Sequence, residues 1–391
     1  MIVPSAYTQS YARARTFDAP NADLYMRHVH LGDPAADDVV RTLHALGGAR
    51  RGAIMRAGIE GGPMAIPDAP ENVREFFASL DKVPDWYDHD FALLGSRVFY
   101  RNSNMFVAAF VGAVLIEGFS TLISKSFGIT GMIVDQGVRR LKQNNRHVAE
   151  IFLPGGLARH ADGWKLSVRI RMIHAQVRFL LSTAEEWEWD AWGSPLSAAH
   201  VAYGASTFSA ALLKNARALG VKVTDDESAA FMMIWRYAAS LMGIAPEMLF
   251  ENEAHALELY AIGNLCEPPP SIESCHMVHA LINGAAILAG METPADRRKL
   301  TKKIYRISRA LIGDERADLL RYPPAVTFGV LPLLRIGNRA QQLVGKYLPT
   351  VAPMGGRKGQ FETMLSWSHY EAEGLEYRVP ESHHAEKDVR L

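Results

Sequence analysis

The chain has 391 residues, 48% of them apolar, so it can bury a large core and is neither a disordered nor a fibrous polymer. Lysine and arginine number 42 and aspartate and glutamate 42, which leaves no overall electrostatic case for nucleic acid or an anionic membrane surface. Cys266 and Cys275 match no zinc or redox spacing, as expected in a reducing compartment.

The opening "MIVPSAYTQSYARARTFDAP" lacks the apolar core of a secretory leader, so a cytoplasmic chain is expected. Residues 1–34 read as an irregular extension, 35–350 as one helical domain and 351–391 as a polar tail. A helix fits "AADDVVRTLHALGGA", stopped by Gly47 and Gly48. "PENVREFFASLDKV" is entered through Pro70, and "VPDWYDHDFALLGSRVFYRN" is a turn followed by an amphipathic helix. Residues 102–127 are apolar nearly all round. Within them "MFVAAFVGAVLIEGFSTLI" has an unbroken apolar run shorter than a bilayer span and is interrupted by Glu117, so a buried core helix is expected and membrane association is not.

Gly128 and Gly131 bracket a break, and helix resumes over 131–153. Helical patterns follow at 165–186, at 195–220 from Pro195 to Gly220, and over "TDDESAAFMMIWRYAASLMG" with Thr224 or Asp225 as cap. Further ones lie at 246–264, 269–289, 295–313 and 329–347. No alternating strand pattern or fixed repeat interrupts them. The fold class expected is all-α, a single large helical domain.

"RIRMIHAQVRFLL" places Arg171, His174 and Arg178 on one helix face, beside an apolar stripe of Ile170, Ile173, Val177 and Leu180. On spacing alone, a half-buried histidine satisfied by a carbonyl is favoured over a haem ligand. A neutral imidazole can nonetheless bind iron, and arginines one turn away suit propionates. In "GVRRLKQNNRHVAEIFLPGG", Arg140 and Asn144 share a face and could orient a ligand or carboxylate, but by sequence alone a surface helix of mixed charge is the favoured reading. His276 and His279 in "CHMVHA" are three apart and could form half of a helical metal site, but no second pair repeats the spacing. No nucleotide loop or nucleophile elbow is present.

"RMIHAQVR" resembles the histidine segment of the MpaB-type oxygenases and latex clearing proteins (rubber oxygenases). "VPDWYDHDFALLGSRVFYR", "FGITGMIVDQGVRRLKQNNRHVAEI", "WDAWGSPLSAAHVAYGASTF" and "TDDESAAFMMIWRYAASLMG" agree in the same order, from about residue 83 to 265. The resemblance implies a globin-like helical core around a haem pocket, with haem b held by His174 as the iron ligand, and Arg178 and Arg171 toward the haem. It implies dioxygen and an apolar unsaturated substrate, isoprenoid or lipid-like, with oxidative cleavage of a carbon–carbon double bond. A redox partner is allowed but not specified. On the distal side the family has an arginine, followed three and four places on by lysine and threonine. Arg140 matches, but Gln143 and Asn144 stand at the other two positions, and Lys142 is one residue out of register. Glu117 is the nearest acid for the family's upstream carboxylate. The catalytic candidates are thus Arg140, Gln143, Asn144 and Glu117. A non-catalytic haem or hydrophobic-ligand binder, and a metal hydrolase built on His276 and His279, are the rival readings.

Overall fold

The structure is a computed structural model and describes residues 1–129 and 137–347. Among the described residues every regular element is helical, as the sequence pattern requires. The expected break at Gly131, the start of the helix drawn from 131, and the tail over 351–391 lie outside the described residues.

Many helices begin where a side chain can satisfy free N–H groups. Asp33 caps Pro34–His44 by accepting from Ala36 N (3.2 Å). Thr224 and Glu227 form a reciprocal capping box at the start of Asp225–Leu241. Ser197, Asn252, Ser271 and Thr293 cap the helices that follow them. Gly243, at φ +83°, ends Asp225–Leu241 in the left-handed region that glycine enters freely.

The centre of the domain is an aromatic stack shared by four helices. Phe99 stacks on Phe152 with centroids 4.5 Å apart, Phe152 on Phe231 at 4.7 Å, and Phe231 on Phe106 at 5.2 Å. Each buried phenylalanine contributes roughly 1.5–3 kcal/mol. The helices His89–Arg101 and Asp225–Leu241 cross closely because Gly95 has no side chain. A Cβ there would lie 2.8 Å from Phe231 N.

The apolar stretch expected in the core is there: Phe106, Phe110, Ala113, Val114, Leu115 and Ile116 are at most 1% exposed. It is bent rather than straight. Ser103–Phe119 contains a π turn at Phe110–Val114 and meets His89–Arg101 at 79°. No single helix among the described residues is long and apolar enough to cross a membrane, although this bent pair passes by length and composition. A second π turn, Thr207–Ala211, interrupts the helical run over 198–218, and the two π turns pack together with Phe110 edge-on to Phe208.

Two expectations fail. Residues 1–34 are not irregular: Thr8–Phe17 and Ala19–His28 are helices, with Asp18 capping the second. They escape pattern reading because they are short and anchored by polar contacts. The Tyr7 and Tyr25 hydroxyls both reach Glu267, at 3.3 and 2.7 Å. Gly47 and Gly48 do stop one helix, but Gly48–Gly61 begins at once, its pattern blurred by four glycines.

Candidate functional site

The helix Asp162–Leu181 carries Arg171, His174 and Arg178 along one side of a small hollow of about 10 Å³. Ala198, Val201 and Met242 supply the apolar wall opposite, and Gly32, Asp33 and Gly243 close the rim. The face read from the sequence is therefore real.

Its arginines are not solvated. Arg171 makes a two-point pair with Asp33 (Nε–Oδ2 2.5 Å, Nη2–Oδ1 3.0 Å) and lies 5.0 Å from the Phe76 ring centroid. Arg178 donates Nε to Asp37 Oδ1 at 2.7 Å and Nη1 to the Leu196 carbonyl at 3.0 Å. Its Nη2 is buried with no partner. Asp33 and Asp37 also bracket the first turn of Pro34–His44, where the helix dipole favours negative charge. Burial raises the pKa of Asp37, with Arg178 pulling against it.

His174 does not accept the ordinary fate of a core histidine. Its Nδ1 is buried and has no hydrogen-bond partner. Burial, with the neighbouring Arg178 charge, lowers its pKa to about 3, so the ring is neutral at physiological pH. A neutral imidazole with a bare nitrogen, beside a guanidinium with a bare N–H, is a donor set for a metal-bearing group with acidic substituents. Two glycines keep this corner tight. A Cβ on Gly32 would lie 2.8 Å from the Arg178 side chain, and one on Gly243 would lie 2.1 Å from Asp33 Oδ2.

The wall opposite His174 is fixed by a buried polar chain that spacing alone did not reveal. Ser197 Oγ and His200 Nδ1 are 2.9 Å apart, His200 Nε2 is 3.3 Å from Glu267 Oε1, and Leu122 N donates to Glu267 Oε2 at 3.2 Å. Burial works against the Glu267 carboxylate, but His200, Tyr25 and the Leu122 N–H outweigh it and hold its pKa below the usual range. Two backbone bonds, Ser194 N to Val29 O (2.9 Å) and Ala198 N to Leu31 O (2.7 Å), tie the same loop to the N-terminal helices.

Residues 96–335 match the family described as "ER-bound oxygenase mpaB/B'/Rubber oxygenase, catalytic domain". The chain belongs to this family. Of the residues that line the hollow, Gly32 and Asp33 precede the matched stretch and the others fall within it. Over 271 residues the chain is 22% identical to the rubber oxygenase of Streptomyces sp. (strain K30), which is 66% of this chain and 62% of that protein. The match therefore spans less than two thirds of that relative. The fold resembles that of latex clearing protein in its closed state, with a TM-score of 0.61 at 18% identity, covering 90% of this chain and 92% of the other.

The other candidates of this mpaB/rubber-oxygenase chain are dispersed. The side chain of Arg140 lies outside the described residues. Gln143 and Asn144 are half-buried on Gly137–Phe152 and do not line the hollow. Glu117 is buried elsewhere, accepting from the Tyr260 hydroxyl at 2.7 Å, with its Oε2 unpartnered. Burial raises its pKa, opposed by Arg316, Tyr260 and Lys214. His276 is exposed, while both ring nitrogens of His279 are occupied, by the Tyr305 hydroxyl and the Leu320 carbonyl (3.1 Å). The two rings are not set to share a metal, and no group of three or more His, Cys, Asp or Glu side chains that could hold one is found among the described residues, which leaves the hydrolase reading without support.

Sequence reasoning missed Asp33 and Asp37 as partners of the arginines. "GDPAADD" signals a helix start, but nothing in its spacing says which cations, some 140 residues on, will meet it.

Proposed function

We propose that the protein is a haem b-dependent oxygenase acting on an apolar unsaturated substrate, isoprenoid or lipid-like. The observation that carries this reading is the unpartnered, neutral His174 ring in a hollow flanked by Arg171 and Arg178, inside a catalytic domain of the oxygenase family.

The donor set fits the group. His174 would ligate the iron, because its ring is neutral and its Nδ1 carries no competing hydrogen bond. Arg178 would meet an acidic substituent through its free Nη2. The hollow as it stands holds about 10 Å³, room for about one water against the roughly 300–1,000 Å³ of ordinary small-molecule sites, so the group enters only if the wall parts. When bound, haem supplies the dioxygen chemistry that side chains cannot.

The chain's own residues do the rest. Asp33 and Asp37 hold the two arginines in place on the helix that carries His174. Arg178, through the Leu196 carbonyl, joins that cluster to the opposite wall. Ala198, Val201 and Met242 keep that wall apolar, which excludes water and favours an alkene over a polar competitor.

The test is an absorption spectrum of protein expressed with haem available, taken ferric, ferrous and with carbon monoxide. A Soret band that His174→Ala removes is expected, together with oxygen uptake on prenyl or unsaturated lipid substrates. A well-folded protein that shows no Soret band sinks the haem reading. A second reading, a haem or hydrophobic-ligand binder, draws support from Gln143 and Asn144 in place of the family's lysine and threonine. A Soret band without oxygen uptake on any such substrate decides for it.

A further inference from the structure

The balanced overall charge conceals a strongly uneven surface. In the helix Pro294–Ile312, residues 297–306 contain Arg297, Arg298, Lys299, Lys302, Lys303 and Arg306 and no acid. All six are exposed. Lys299, Lys302, Lys303 and Arg306 recur at three- and four-residue spacing and form one stripe along the helix.

The stripe runs into an apolar prominence. Arg306 Nε donates to the Val326 carbonyl at 2.8 Å, which fixes its last cation to the following segment. From there Val326 (74% exposed), Phe328 (93%), Leu333 (70%) and Ile336 (65%) project on the loop and the start of Val330–Tyr347. Single exposed apolar residues need no explanation, but four large ones within eleven positions, joined to a file of cations, do.

We propose that this face seats the protein on an anionic lipid bilayer. Aliphatic and aromatic side chains enter the boundary between headgroups and acyl chains, while a basic stripe meets lipid phosphates and carboxylates. The charge pattern picks this occupant. An apolar partner protein would not need six uncompensated cations, and a polyanion such as nucleic acid would not need Phe328 almost fully bare. The proposal stands independently of the haem reading, because no residue of the His174 hollow takes part.

The test uses the full-length chain and flotation with vesicles of phosphatidylcholine, alone or with about one third phosphatidylserine. Binding to the anionic vesicles, weakened by high salt, is expected, with little on the neutral ones. Lys302→Gln/Lys303→Gln should weaken it roughly 30-fold, at about tenfold per 1.4 kcal/mol and one cation per kcal/mol. Phe328→Ser should weaken it by about tenfold or more. Both variants alter exposed side chains, so circular dichroism and thermal melting should match the parent. The idea is overturned by absence of binding to anionic vesicles, or by binding that neither variant changes. It is also overturned if polyglutamate binds as well as the vesicles with no loss in Phe328→Ser, which assigns the face to an acidic protein. Self-association lost in Phe328→Ser without vesicle binding assigns it to a second copy and likewise overturns the proposal.

Discussion

Arg178 donates Nη1 to the carbonyl of Leu196 at 3.0 Å, and Leu196 sits at φ +43°, where a bulky side chain is strained. The guanidinium that pairs with Asp37 thus also holds a strained turn at the start of the opposite wall. Arg178→Met leaves the carboxylate uncompensated and the carbonyl without its donor. A loss of about 3–5 kcal/mol is expected, read as a lower urea midpoint at unchanged slope. Adding Asp37→Asn should restore part of it. Strict additivity of the two substitutions would show that the ion pair is not what holds the turn.

Stability should fall in mild acid. His174 and His147 have pKa values of about 3 and about 4, both lowered by burial, with Arg178 adding to the effect at His174. In the unfolded chain both return to about 6.5. Their folded forms are therefore neutral, and their effect on stability is nil above pH 6.5. As pH falls from there toward 4, only the unfolded chain takes up these protons, and folding weakens by up to about 2.7 kcal/mol per pH unit for the two together. Urea titrations at pH 7.5, 6 and 5 measure it, and His147→Gln should remove about half the slope. A flat profile over this range would contradict the assignment.

Two glycines should respond in opposite directions to alanine. Gly204 has nothing within 4 Å of an added Cβ and lies inside the helix Ala198–Ser206, so Gly204→Ala should gain about 0.5–1 kcal/mol. Gly243 combines a positive φ with Asp33 Oδ2 at 2.1 Å and Arg171 Nε at 2.5 Å from the new carbon. Gly243→Ala should cost more than about 1 kcal/mol and loosen the Arg171–Asp33 pair. On the proposed function it should also weaken haem uptake, followed as Soret absorbance on titration. Equal melting temperatures for the two variants would argue that the rim is not tight.

The N-terminal helices should prove integral. Tyr25→Phe removes a hydroxyl bonded to the buried Glu267 carboxylate and should cost about 1.5–3 kcal/mol. Removing residues 1–28 takes away both tyrosines and should leave the remainder aggregated in a sedimentation assay. A soluble, cooperatively melting truncation would return the segment to the status of an appendage.

The architecture was legible where a helix is long and has one dry face. Asp225–Leu241 could be read from Thr224 to Gly243, because cap, period and stop all agree. The Arg171–His174–Arg178 face was legible for the same reason. What the spacing could not carry was partnership across distance. Asp33 and Asp37 meet their arginines some 140 positions on, and Tyr25 meets Glu267 242 positions on. Glu117 illustrates the converse: the nearest acid along the chain is turned by its helix toward Tyr260 rather than toward His174.

The pairing of residues 29–31 with 194–198, and of Tyr7 and Tyr25 with Glu267, has a consequence for the chain as it is made. The first helices leave the ribosome well before their partners exist. At 5–20 residues per second they wait roughly 10–50 s for Glu267. Until then the loop opposite His174 is tied only through Val29 and Leu31, and the Ser197–His200 chain behind it lacks its carboxylate. On the proposed function, a nascent chain with this wall half-anchored would admit a bulky prosthetic group more readily than the finished one.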